Sequence, residues 1–263
     1  MEQTLVQIDA FTNEPYRGNP AAVCVLEGPA DEEWMRLVAR EMNLSETAFV
    51  YPIEGGFQLR WLTPRAEVDL CGHGTLATAH LLWEDGHVSS ESPIRFMTRS
   101  GWVSASLESG WIVLDFPLNP PQAVEPSQTL LAVLGFTPVF VGHYPAGTLV
   151  VAPTDDLVRG LRPNLTLLEE LPEPKLCVTA RDSTGEVDFV SRLFAPSLGI
   201  PEDPVNGNSH TVLGPYWAAE LDRPELTSRY VSERGGLIRV ELAGDRVKIK
   251  GQAVTVMRAS LLF

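Results

Sequence analysis

Phe57-Gln58-Leu59-Arg60-Trp61-Leu62-Thr63-Pro64 and Phe189-Val190-Ser191-Arg192-Leu193-Phe194-Ala195-Pro196 share phenylalanine, arginine and proline at a single offset of 132 residues. The same offset carries Cys71 onto Asp203. Each of these is followed by a glycine-containing turn and then by an apolar stretch of helical length. Three identities in eight positions carry little by themselves. A constant offset followed by the same strand–turn–helix order is the mark of an internal duplication, so the chain reads as two related lobes.

The rest of the chain fits that division. Short runs rich in Val, Ile, Phe and Trp alternate with Gly, Pro, Asn and Asp, as at 5–8, 21–26, 48–51, 57–62, 94–98, 103–107, 111–116, 149–152, 176–180, 188–193, 237–242 and 247–249, and read as strands. Helices are fewer, at 31–41, 75–84, 127–134 and 211–221. This is an α+β pattern dominated by strands. Pro117, Pro120, Pro121 and Pro126 resist both helix and central strand, which places a linker near the middle. The expected lobes are 1–118 and 119–251.

With 263 residues the chain is long enough to bury a core without disulfides or metals. Its formal net charge of −14 disfavours nucleic acid and anionic membrane as partners. No apolar run is long enough to span a bilayer and the first residues lack a signal-peptide pattern, so a cytoplasmic location is expected. Cys24, Cys71 and Cys177 are odd in number and unpaired in spacing, in keeping with a reducing compartment. The five histidines show no zinc-type spacing, so no structural metal site is expected.

Matching turns in duplicated lobes would sit at helix N-termini, where backbone N–H groups and the helix dipole favour an anion without help from Lys or Arg. A small carboxylate-bearing substrate is the expected guest, with Gly72, Gly74 and Gly207 permitting close approach. Cys71 and His73 lie in the first turn; Asp203, Asn208, Ser209 and His210 lie in or near the second; Ser45 and Glu46 precede a strand. An acid and a base flanking a bound carboxylate suit racemisation, epimerisation or a proton-shift isomerisation. Blander readings exist for each: a glycine turn can be a helix cap, Cys71 a small buried hydrophobe, and Asp203 a turn residue. A non-catalytic binding or interaction protein that keeps the cleft is the alternative. A metal-dependent hydrolase is disfavoured by the absence of ligand spacing.

Longer stretches carry a family pattern. Asp9-Ala10-Phe11-Thr12 with Gly18-Asn19-Pro20-Ala21-Ala22-Val23, then Asn43-Leu44-Ser45-Glu46-Thr47-Ala48-Phe49, then Glu67 to Thr75 around Cys71-Gly72-His73-Gly74, then Glu202 to His210, then Lys250-Gly251-Gln252-Ala253-Val254-Thr255-Val256, resemble in order the signatures of the PhzF-like family of phenazine biosynthesis. The resemblance implies the diaminopimelate epimerase-like fold: two pseudo-symmetric lobes, each a barrel-like, mostly antiparallel sheet around a central helix, with the site between them. It also implies that residues 252–263 cross back to the first lobe, and that the protein is a homodimeric, cofactor-independent isomerase. On the same ground Glu46 is the expected principal acid/base, assisted by His73 and Asp203. Backbone groups around Ser45, Gly72, His73, Gly207 and Asn208 are expected to hold the substrate carboxylate, with Gly74, Ser209 and Cys71 close by. Two departures stand out. Asn206 and Asn208 occupy places where small hydroxyl residues are usual, and Glu233 stands where a glutamine is usual. Cys71 falls where related epimerases place the first of two catalytic cysteines. With Asp203 at the second position a two-thiol mechanism is closed, and Cys71 reads as a non-essential neighbour.

Overall fold

A computed structural model describes residues 2–262. They form two compact units, one running through Asp115 and resuming at Lys250, the other covering Phe116–Ile249.

The first unit contains β1 (Glu2–Ala10), β2 (Asn19–Val25), α1 (Glu32–Met42), β3 (Glu46–Ile53), β4 (Gly56–Leu62), the short β5 (Glu67–Val68), α2 (Gly72–Glu84), β6 (Ile94–Thr98), β7 (Gly101–Glu108) and most of β8 (Trp111–Pro117). The second contains β9 (Gln122–Ala123), α3 (Gln128–Leu134), β10 (Phe140–Tyr144), β11 (Gly147–Val151), α4 (Asp155–Gly160), α5 (Leu165–Leu168), β12 (Leu176–Arg181), β13 (Phe189–Ala195), β14 (Ile200–Asp203), α6 (His210–Leu221), β15 (Glu225–Tyr230), β16 (Gly236–Ala243) and most of β17 (Arg246–Gly251). The final strand, β18 (Ala253–Leu262), belongs to the first unit and lies antiparallel to β1, from Glu2↔Leu262 to Ala10↔Ala253.

The duplication is visible in the strand pairing. In the first unit β1–β2 is antiparallel, β2–β3 parallel, β3–β4 antiparallel, β4–β6 parallel and β6–β7 antiparallel. In the second, β10–β11, β11–β12, β12–β13, β13–β15 and β15–β16 repeat that order. The fold class is α+β, mostly sheet with few helices.

Each unit holds one helix that is apolar on nearly every side, the pattern of a helix surrounded by protein. In α2 the residues from Gly72 to Ala79, with Leu81 and Leu82, are buried. In α6 the buried residues run from His210 to Gly214 and include Trp217. Gly74 explains how close α2 can lie to β4, because a Cβ there would stand 2.7 Å from the Trp61 ring. By contrast α1 is a surface helix, capped by the Asp31 side chain on the Trp34 N–H at 2.9 Å and closed by Asn43 in the left-handed conformation.

The arginine shared by the duplicated strands does the same work in both. Arg60 grips Glu67 through Nε and Nη2 at 2.8 and 2.7 Å. Arg192 grips Glu202 in the same two-pronged way at 2.7 and 2.8 Å, and its Nη1 also donates to the carbonyls of Val158 and Leu161. Each clamp fastens a strand to the segment that leads into the turn before the buried helix.

His210, the first residue of α6, is fully buried. Its Nδ1 lies 3.3 and 3.2 Å from the carbonyls of Asn206 and Gly207, which can only accept, so Nδ1 carries the proton and Nε2 accepts from Ser228 Oγ at 2.5 Å. Burial disfavours the charged ring and pushes its pKa down to about 4. His210 is therefore a structural residue of the second unit.

Two outcomes follow for stability. Replacing Arg192 with Met should cost about 3 kcal/mol, the low end for a broken buried ion pair, because Glu202 keeps some contact with water; chemical denaturation checks it. Between pH 6.5 and 4 the unfolded chain binds a proton at His210 that the folded chain refuses, so this contribution is intact above pH 6.5 and is lost on acidification. It amounts to about 3 kcal/mol by pH 4, and His210→Gln should show a correspondingly shallower loss in denaturation series run across that range.

Candidate active site

The structure gathers the sequence-predicted residues into two clusters, one in each unit. In the first, β3 begins at Glu46, which pairs in parallel with Ala21 of β2, and α2 begins just beyond Cys71. This brings Glu46 Oε2 to 2.9 Å from His73 Nε2, both side chains being nearly buried. Ser45 Oγ lies 3.3 Å from the same ring nitrogen and donates to Asn19 Oδ1 at 3.2 Å. Asn19 Nδ2 lies 3.4 Å from His73 Nδ1. A carboxylate only accepts, so Nε2 is the donor toward Glu46.

Cys71 caps α2 with its sulfur, Sγ accepting the Gly74 N–H at 3.2 Å. The same Sγ sits 3.6 Å from His73 Nδ1 and 3.9 Å from Nε2. Burial and the nearby Glu46 charge raise the Cys71 pKa, keeping it a thiol at neutral pH. Burial by itself would lower the pKa of His73, but its contacts with the Cys71 sulfur and the Glu46 carboxylate outweigh it and hold the ring well above its ordinary value. The ligating atoms of Glu46, Cys71 and His73 all lie within 4.8 Å of one another, a metal-like donor set that the spacing of the histidines along the chain does not announce.

The second cluster surrounds Asp203, the buried last residue of β14. Asn206 Nδ2 donates to Asp203 Oδ2 at 2.8 Å, and Asn206 Oδ1 accepts the Ser209 N–H at 2.7 Å. Ser209 Oγ donates to the Asn206 carbonyl at 2.7 Å and meets Tyr230 Oη at 2.8 Å. The unusual Asn206 thus has a definite part: it ties the Asp203 carboxylate to the start of α6.

The backbone donors divide sharply. Gly74 N–H is committed to Cys71 Sγ, and Ser209 N–H to Asn206. Thr75 donates to the Cys71 carbonyl, His210 to Gly207 and Thr211 to Asn208. Among the described residues the N–H groups of Gly72 and His73 in the first unit, and of Gly207 and Asn208 in the second, make no such bond. These are the donors available to an anion. Sequence reasoning missed Asn19, a fully buried amide that supports both His73 and Ser45. It opens β2 directly after Gly18, whose φ is +63° and whose Cβ would strike the Ala10 carbonyl. The adjoining Phe11, at φ +63°, is a second mark of a backbone held in an unusual course.

Residues 8–259 match the family model described as phenazine biosynthesis-like protein (PhzC-PhzF). An uncharacterized isomerase of Halalkalibacterium halodurans is 47% identical, over all of this chain and 99% of its own length. The crystal structure of a PhzF family protein from Enterococcus faecalis superposes with a TM-score of 0.96 at 36% identity, covering the whole of both chains. A hydroxyproline epimerase from Agrobacterium vitis, solved with trans-4-hydroxy-L-proline bound, shares the fold at 13% identity and a TM-score of 0.66, over 99% of this chain and 92% of its own. Among the described residues no helix is long and apolar enough to cross a membrane. The order of signatures, the duplicated strand pairing and a relative of nearly half-identical sequence converge on one assignment: the chain belongs to the phenazine biosynthesis-like (PhzC-PhzF) family and is an enzyme of the isomerase class.

Proposed function

We propose that this enzyme isomerises or epimerises a small carboxylate-bearing acid, amino- or hydroxy-substituted, by moving a proton with its own side chains and no cofactor. The observation that carries the reading is the 2.9 Å pair of Glu46 and His73 beside the uncommitted amides of Gly72 and His73 at the start of α2. Those amides, with the positive end of the helix dipole, suit a substrate carboxylate. As the neighbouring C–H gives up its proton, charge spreads into that carboxylate, and donors fixed in advance stabilise it most when the charge is greatest.

Glu46 takes the proton, and the C–H electron pair stays on the substrate as an enolate-like system. Delivery of a proton from Asp203 to the opposite face of that carbon gives an epimer; return of the proton from Glu46 to another carbon of the framework gives a shifted isomer. The Nε2–H of His73 keeps Glu46 aimed. Asp203, held by Asn206, is the proposed second acid/base. A homodimer in the cytoplasm accompanies this reading; the three cysteines are free and buried, as a reducing compartment permits.

The test is solvent exchange. In D₂O the enzyme should place deuterium on the carbon next to the carboxylate of one member of a panel of amino and hydroxy acids. Glu46→Gln should lower that rate by about 10²–10⁴-fold with an unchanged melting temperature. Full exchange in that variant would remove Glu46 from the mechanism. Asp203→Asn should lower the rate by about 10²-fold or more if Asp203 handles a proton. Unchanged turnover would leave it only the task of holding Asn206 and the turn.

A further inference from the structure

Glu46, Cys71 and His73 offer one carboxylate, one thiol and one imidazole, all buried and all within 4.8 Å of each other. The proposed proton transfer has no task for the thiol. Nor does core packing call for a sulfur in contact with an ionisable ring. The donor set suits a tetrahedral ion. With bonds of about 2.3 Å to sulfur and about 2.0–2.2 Å to nitrogen and oxygen, the donor atoms around zinc stand roughly 3.3–3.7 Å apart. Here His73 Nε2 lies 2.9 Å from Glu46 Oε2, while Cys71 Sγ lies 3.6 Å from Nδ1 and 3.9 Å from Nε2, so the Cys71 and His73 side chains must turn toward one another for a single ion to touch all three.

We infer that these three residues form a capture site for a borderline-soft divalent cation, Zn²⁺ foremost, and that its capture silences the enzyme. A thiolate and an imidazole in the set favour zinc over magnesium or calcium, which prefer oxygen throughout. On binding, the six-coordinate hydrated ion loses five of its waters, and Cys71 its thiol proton and His73 its Nε2 proton, both to solvent. Glu46 binds as a carboxylate. His73 binds through Nε2, with its one remaining ring proton on Nδ1. One thiolate and one carboxylate neutralise the dication, and a water completes the fourth position. The surroundings support the change. The Gly74 N–H already points at Sγ, at a helix N-terminus, where a thiolate is stabilised. A half-turn of the Asn19 amide would present its oxygen to Nδ1–H and its NH₂ to Ser45 Oγ, an outer partner of the sort that orients a ligating histidine.

The binding stands on geometry alone; the silencing rests on the proposed role of Glu46, whose carboxylate cannot accept a proton while it holds the metal. The experiment therefore reads the two separately. The reduced, full-length protein is titrated with Co²⁺, watching for thiolate-to-cobalt charge-transfer absorption, and with Zn²⁺ by calorimetry. One equivalent should bind with that absorption. Cys71→Ser should abolish the band and weaken zinc by at least the 10–100-fold seen when even an outer partner of a ligand is lost. Should the serine variant fail to fold by circular dichroism, His73→Gln and Glu46→Gln keep the thiol and should each weaken zinc by a similar factor. Absence of the band in the natural protein, or its persistence in Cys71→Ser, overturns the site. Micromolar zinc should also stop deuterium exchange and a chelator restore it; exchange undiminished at one bound zinc overturns the silencing. If cobalt binds through Cys71 while no acid exchanges, the site stands and the proposed proton transfer falls. If exchange is brisk and no thiolate band forms, the reverse holds.

Discussion

Two arginine–glutamate clamps hold the architecture to its plan. Arg60 with Glu67 and Arg192 with Glu202 each join a strand of the duplicated motif to the segment entering the turn ahead of a buried helix. Such a pair is not necessarily more stabilising than apolar residues of equal size. Its geometric demand is the point. A planar guanidinium meeting both carboxylate oxygens fixes direction as well as distance. The turn that follows starts from a set position, and everything chemical in either unit is carried on that turn or just after it. Arg192 goes further than Arg60, since its remaining nitrogen gathers carbonyls at the end of α4.

Beyond the clamps the two halves have diverged, and they have done so in how they end the turn. The first unit caps its helix with a cysteine sulfur, a weak acceptor, and lets a histidine occupy the first helical turn beside a glutamate. The second uses an asparagine that grips an aspartate with one end and a backbone N–H with the other. Both solutions commit some amides and spare others. A chain with a net charge of −14 would gain little from recruiting a lysine into a tight apolar turn, where desolvation is costly. Backbone dipoles need no counter-ion and cost nothing to hold in place once the helix is built.

Much of this was legible in the residues. The constant offset disclosed the duplication because strand, arginine and turn are linked mechanically. Helices α1, α3 and α6 begin and end within a residue or so of the expected positions, since caps such as Asp31 and Ser127 are local signals. Helix α2 starts at Gly72, three residues before the expected Thr75, because Gly72-His73-Gly74 reads as a turn unless the sulfur cap at Cys71 is known. The strands β10 and β15 lie outside the expected runs. In β15 alternate residues Leu226, Ser228 and Tyr230 are buried, and a buried serine hides the alternation. Glu46, His73 and Asp203 could be picked out, but Asn19 could not. Its importance comes from a ring 54 residues away, and no local pattern distinguishes a buried amide from a turn asparagine. The metal-like grouping of Glu46 with Cys71 and His73 escaped for the same reason.

The pairing of β18 with β1 has a consequence for how the protein is made. The second unit is one continuous stretch, whereas the first needs both the opening residues and those after Lys250. As the polypeptide leaves the ribosome, the second unit is entire while the first still presents β1 with one edge unpartnered, on a strand whose Leu5, Val6 and Ile8 are destined for burial. That edge is closed by β18, which follows the whole of the second unit along the chain. An unpaired edge on an apolar strand invites pairing with other chains, so the discontinuous unit is the one whose completion must wait on the continuous one.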